Sequence, residues 1–272
     1  MLTGGVGADT YARDTLFAAV MLILNGILGI SMLLGALKFK EQVFEAKSVT
    51  IALVSLVSIL VFSLVLPNFT TSTLEPTYST PQLIAVAFSC VVVYASFLIT
   101  QTVRHRKYFL VDETGEEKVV TPTEAFISLS LLLVCLGVVV FLAKKLSPVI
   151  EASVVEANLP TALVGVAIAA VILLPEGIAA IRAAKRNQYQ TSINLALGSA
   201  LASIGLSVPT VAIVCTAMDL PLVLGLDKKS MILLALSIFT VMLSLNKGRT
   251  TGLYGMVLLV NLMMYIITII FA

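Results

Sequence analysis

Tryptophan is missing from this chain of 272 residues, histidine occurs once (His105) and cysteine only three times. The cysteines, Cys90, Cys135 and Cys215, each sit inside an apolar run, are odd in number and match no zinc spacing. They read as small buried residues without a redox role. Charge is scarce as well: 12% of residues are charged, against roughly 25% in an ordinary soluble domain. A soluble globule needs more polar surface than this to cover itself. The formal charge of +2 is too close to balance for a nucleic-acid partner. Paired acids, a His–Glu metal cluster and a Ser or Cys beside a base are all lacking, which leaves an intramembrane enzyme without its usual parts. What the chain has in abundance is hydrophobicity, 59% of residues with a mean hydropathy of +1.07. The fold class that follows is an all-α polytopic membrane protein.

A span needs about 20 mostly apolar residues. Eight stretches qualify: Leu16–Leu37, Ser48–Leu66, Gln82–Val103, Phe126–Ala143, Thr161–Ile181, Ile193–Ala217, Met231–Leu245 and Leu253–Phe271. They are apolar all round, as lipid-facing helices must be. The alternating ten-residue segments of a membrane barrel do not occur. Pro67-Asn68, Thr80-Pro81, Thr121-Pro122, Leu159-Pro160 and Asn246-Lys247-Gly248 mark the ends of the runs. Asp14, just before Leu16, is most simply a helix N-cap. The one long connection, 104–125, carries Asp112, Glu113, Glu116 and Glu117, and its core 108–120 has the pattern of a small hairpin. That acidic run lacks the ligand spacing of an EF-hand and reads as a solvated turn. His105, among Arg104, Arg106 and Lys107, reads as a basic residue near anionic lipid.

Orientation follows from Lys and Arg. Connections after the first, third, fifth and seventh segments hold twelve of them, and the opposite side holds five (Arg13, Lys144, Lys145, Lys228, Lys229). The richer side should be cytoplasmic, with both termini on the other side.

Fourteen of the fifteen acids lie in loops or at helix ends. The exception is Glu176, within Leu174-Pro175-Glu176-Gly177 of the fifth segment. A carboxylate there costs several kcal/mol unless it is paired, protonated or hydrated. Either it binds an ion or proton, or it snorkels toward Arg182. Pro175 and Gly177 weaken the helix and free backbone carbonyls, which suit hard cations. The sixth segment adds Asn194, Ser199, Ser203 and Ser207, the serines at every fourth position on one face. That face is the wall of a polar cavity or a seam of close packing through small residues. Finally, Leu28-Gly29-Ile30-Ser31 matches Ile204-Gly205-Leu206-Ser207 at a fixed offset, while the Lys and Arg count orients their helices oppositely. This is the pattern of inverted repeats, which place a substrate site at the midplane.

Leu174-Pro175-Glu176-Gly177, Arg182-Ala183-Ala184-Lys185-Arg186-Asn187-Gln188 and the run from Thr191 to Ser203 resemble the second signature repeat of bacterial calcium/cation–proton antiporters, of the cation/calcium exchanger superfamily. The stretch from Ala12 to Met21 and Leu66-Pro67-Asn68-Phe69-Thr70-Thr71 are similar to the same family. The resemblance implies eleven helices: one extra helix and two inverted five-helix repeats, each with an acid on its second helix. Residues 126–272 would be the complete second repeat, with Glu176 its acid. Residues 1–103 would be the last three helices of the first, with three helices expected before them, and 104–125 a cytoplasmic loop. It implies exchange of Ca²⁺, or of Na⁺ or K⁺, for protons by alternating access in a bacterial inner membrane, with lipid around the chain and self-assembly left open. Glu176, Ser199, Ser203, Asn194 and Asn25 would hold the cation and Glu176 the proton. No cofactor is expected. The competing expectation is a shortened, non-transporting membrane protein that packs with other helices.

Overall fold

The computed structural model describes residues 10–70, 77–109, 121–156, 160, 162–218 and 222–271. The core of the expected hairpin, with Asp112, Glu113, Glu116 and Glu117, lies outside the described residues. Eight long helices carry the fold: α1 Tyr11–Phe39, α2 Ala46–Phe69, α3 Thr80–Arg104, α4 Pro122–Glu156, α5 Ala162–Lys185, α6 Tyr189–Met218, α7 Lys228–Leu245 and α8 Gly252–Ile270. All but α4 are long and apolar enough along a single window to cross a membrane. Their outward side chains are apolar, Phe88 and Phe239 being over 60% exposed, as a lipid-facing surface requires. The architecture is that of an all-α polytopic membrane protein.

Local chemistry explains the boundaries. Ser79 and Gln82 form a reciprocal capping box at the start of α3, where Pro81 sits in the first turn. Asp227 caps α7 by accepting from the N–H groups of Lys229 and Ser230. Gly248, with φ +67°, turns the chain between α7 and α8. At the start of α1 the cap is Thr10, so Asp14 falls inside the first turn and not at the cap as expected. A carboxylate there still complements the helix dipole. Arg13 Nε donates to it at 2.8 Å.

Two features differ from the pattern read in the sequence. First, α4 does not stop before Lys144-Lys145 but continues through Pro148 to Glu156. A lysine can ride on a helix surface, and the Lys145 ammonium lies 5.8 Å over the Phe141 ring one turn earlier. Second, the connections after α1 and α7 pair as short antiparallel strands, β1 Glu41–Val43 and β2 Arg249–Thr251, with Gln42 opposite Thr250. Three residues are too few to show strand alternation in a sequence.

α1 lies at the centre: 78% of its apolar window is buried, against 44% or less for every other span. It crosses α8 at a contact of two glycines. A Cβ on Gly255 would sit 2.6 Å from the Gly29 carbonyl oxygen and 2.7 Å from the Leu33 nitrogen. Backbone atoms cannot yield as a side chain can, so this crossing requires glycine. Gly255→Ala should therefore cost roughly 1–3 kcal/mol by overpacking, read as a lower midpoint in graded SDS unfolding. Gly137→Ala in α4, where a Cβ meets nothing within 4 Å, should leave the midpoint unchanged or raise it.

Candidate functional site

Glu176 belongs to a helix that Pro175 has already weakened. Proline has no N–H, so the carbonyl of Val171, one turn back, loses its intrahelical donor. The Glu176 side chain is half-buried, and its Oε2 is wholly buried with no hydrogen-bond partner among the described residues. Arg182 is exposed and forms no ion pair with it. The snorkelling alternative therefore does not describe this side chain. An acceptor left without a donor at this depth is costly, and buried polar groups in native structures normally find partners.

The same stretch of α5 meets α1 at an irregular turn. Residues Leu22–Ile27 of α1 form a π-helical segment, a geometry that occurs often at functional sites. A Cβ on Gly177 would lie 3.5 Å from the Ile27 side chain, so the turn after Glu176 faces this segment. Asn25 lies within it and is fully buried. Its Nδ2 donates to Ser237 Oγ of α7 at 2.9 Å, and Ser237 Oγ donates in turn to the Leu233 carbonyl at 2.8 Å. The Oδ1 of Asn25 has no partner among the described residues. Two adjacent helices thus each carry an orphaned acceptor oxygen, one carboxylate and one amide.

Depth separates the remaining candidates. At 1.5 Å per residue, Glu176 lies about 14 Å from the α5 end at Lys185 and Ser199 about 15 Å from the α6 start at Tyr189. Asn25 and Ser203 lie about 21 Å from their helix ends on the same side. Ser199 and Ser203 are half-buried on α6, which packs against α5. Asn194 is shallower and already engaged. Its Nδ2 donates to the Phe109 carbonyl at 2.7 Å and its Oδ1 accepts from Gln190 Nε2 at 2.9 Å. Counted along their own helices, Glu176, Ser199, Ser203 and Asn25 fall within about 7 Å of one another in depth, while Asn194 belongs to a separate polar chain at the basic-loop end.

That chain was not legible in the sequence. Gln190 Nε2 also donates to Ser48 Oγ, and Gln190 Oε1 accepts from the Glu45 N–H. Beside it, Gln42 Nε2 of β1 donates to the Ala184 carbonyl at 2.8 Å and to Asn187 Oδ1 at 3.1 Å. These bonds tie the turn between α5 and α6 to the connection after α1. Ser237, the partner of Asn25, was also missed, since a single serine in an apolar run has no distinguishing spacing. Among the described residues no group of three or more His, Cys, Asp or Glu could hold a metal. Any cation here would be bound largely by neutral oxygens around one carboxylate.

Comparison with known proteins agrees with this architecture. The sequence pattern of the family described as sodium/calcium exchanger protein matches residues 1–103 and 127–271. The y4hA protein of Sinorhizobium fredii is 44% identical over 260 residues, covering 94% of this chain and 71% of that protein. The sodium-potassium/proton antiporter ChaA of Escherichia coli is 32% identical over 280 residues, covering 99% of this chain and 75% of its own length. Among solved structures, the H⁺/Ca²⁺ exchanger CAX superposes with a TM-score of 0.70 at 16% identity, over 97% of this chain and 66% of that one. The family pattern runs through both ends of the chain, over helices that carry orphaned oxygens in their interior: the chain belongs to the sodium/calcium exchanger protein family, whose members are secondary transporters of cations and not enzymes.

Proposed function

We propose that this chain exchanges a hard cation for protons at a site centred on Glu176. The observation that carries the reading is the buried, unpartnered Oε2 of that residue. A carboxylate in such a place is stable when it holds either a proton or a cation, and it cannot hold both. Loading with one expels the other, and this exclusion couples a proton gradient to cation movement. Asn25 Oδ1 and the hydroxyls of Ser199 and Ser203 are the neutral oxygens that would complete the shell, and an all-oxygen set suits Ca²⁺, Na⁺ or K⁺. The relative ChaA is named for sodium, potassium and protons, and CAX for protons and Ca²⁺. Both names favour proton-coupled exchange.

We further propose that residues 126–272 form one repeat and residues 1–103 the last three helices of an inverted partner. The packing supports this. Gly29 of α1 lies against α8, with a Cβ there 3.2 Å from the Gly255 oxygen. Gly205, its match in α6, lies against Tyr94 of α3 at 3.0 Å. The two glycines of the repeated motif thus seat equivalent helix pairs, first with eighth and sixth with third. With the basic connections inside, both ends of the described chain face outward across a bacterial inner membrane. α1 and α6 are the elements that would shift to open the site to each side in turn.

The decisive variant is Glu176→Gln in the natural full-length protein, assayed in everted vesicles with Ca²⁺, Na⁺ and K⁺ in parallel. Cation-dependent proton flux should fall to background. Flux at the wild-type rate would overturn the assignment. Stability gives a second readout. Without cation, Glu176→Gln, whose neutral amide has nearly the shape of the protonated carboxyl, should unfold close to the wild-type midpoint. The transported cation at 100 times its Kd should stabilise wild type by about 2.7 kcal/mol and Glu176→Gln by none.

A further inference from the structure

A second feature of the molecule lies far from Glu176. On the face opposite the basic loops, a cavity of about 210 Å³ opens between the amino end of α1, the amino end of α7 and the carboxyl end of α8. One water needs only ~10–15 Å³ of such space, so the cavity can hold an ion together with part of its hydration shell. Two carboxylates line it, Asp14 from α1 and Asp227 from α7. Tyr265 of α8 lines it as well. Only 3% of this residue is exposed, and its ring packs edge-on against Phe17 with centroids 5.2 Å apart. That packing fixes the ring, yet the hydroxyl has no hydrogen-bond partner among the described residues. The side chain is thus held in one place with its hydroxyl open to a cavity of mixed polar and apolar lining, where a ligand or its water can reach it.

The charges around the cavity decide the ligand class. Arg13 is spent: its Nε donates to Asp14 Oδ1 at 2.8 Å and its Nη1 to the Gly225 carbonyl at 3.1 Å. Lys229 is exposed on a flexible stem and can turn its ammonium to water. Asp227 uses only Oδ2 for its helix cap. One oxygen of each carboxylate therefore remains without a hydrogen bond among the described residues. With the Tyr265 hydroxyl, these are two acidic oxygens and one neutral oxygen, a set for a hard cation and not for an anion.

We propose that this cavity is a holding site for a hydrated divalent cation on its approach to the exchange site, built from Asp14, Asp227 and Tyr265. The class of ligand rests on the exchanger reading; the site itself rests on the cavity and the unpartnered phenol. Arg13 offsets part of the negative charge, so binding is weak, with a Kd on the order of 1 mM as in other exposed sites of few carboxylates. A weak site suits a waiting ion, which must leave again.

The experiment uses Tb³⁺ as the probe, because a tyrosine in contact with it sensitises its luminescence, and comparison with Tyr265→Phe separates this ring from the other six tyrosines of the chain. It is run on the full-length protein carrying Glu176→Gln, so that the exchange site does not contribute. Saturable luminescence that Ca²⁺ displaces, lost on adding Tyr265→Phe and weakened by Asp227→Asn, supports the site. Tyr265→Phe keeps the ring against Phe17 and Asp227→Asn keeps a capping oxygen, so both variants preserve the packing. Luminescence that is unchanged by Tyr265→Phe, or absent once Glu176 is replaced, overturns it. In vesicles of known orientation, Tyr265→Phe should raise KM for cation supplied from this face by roughly 3–10-fold and leave Vmax unchanged, the loss expected for one ligand contact. An unchanged KM also overturns the site. Neither outcome bears on Glu176, whose role is judged by the flux of Glu176→Gln.

Discussion

A single carboxylate oxygen, Oε2 of Glu176, buried within an apolar span with no donor among the described residues, is the constraint on which the proposed function depends. An isolated ion at that depth is unstable, and a protein that needed only a folded bundle would have an apolar residue there. The chain keeps Glu176 on a helix that Pro175 has already deprived of one backbone bond. It sets beside it the irregular turn of α1, where Asn25 also carries an oxygen without a partner. Each of these features costs stability by itself. Together they are the features on which the proposed exchange site rests.

The surroundings of that place are tied down unequally. Where α1 crosses α8, two backbones meet with no room for a Cβ. At the basic-loop end, Gln42, Gln190 and Asn194 join the connection after α1, the start of α2 and the turn between α5 and α6 through buried hydrogen bonds. Such bonds are worth about 1 kcal/mol each, enough to hold one arrangement and few enough to be exchanged. In the interior, by contrast, Glu176 Oε2 and Asn25 Oδ1 have no hydrogen-bond partner among the described residues. A close crossing, polar bonds at one end and unpartnered oxygens between them are compatible with the alternating access proposed above.

How much of this could be read beforehand depends on the kind of signal. Long apolar runs located all eight helices, because nothing but lipid accepts such surfaces, and the lone interior acid drew attention to Glu176. The short strands β1 and β2 were invisible, since three residues carry no period. The continuation of α4 through Lys144 and Pro148 ran against two loop cues, and only the stacking of Lys145 on Phe141 shows why a lysine can stay helical. Asn194 looked like a cavity residue because it shares a helix with Ser199 and Ser203. Its depth and its two bonded amide atoms place it in the polar chain at the helix end. Ser237 and Tyr265 were passed over for the same reason: one polar group in an apolar helix has no pattern, and its meaning lies in what another helix brings against it.

The central claim is that one carboxyl group carries a proton and a cation by turns. Infrared difference spectroscopy of the purified full-length protein tests it most directly, by recording the carboxyl band as cation is added at constant pH. The account predicts that cation abolishes a protonated-carboxyl band, that one proton is released to the buffer as it does so, and that both signals are absent from Glu176→Gln. A band that survives saturating cation, or one that disappears equally in Glu176→Gln, would contradict it.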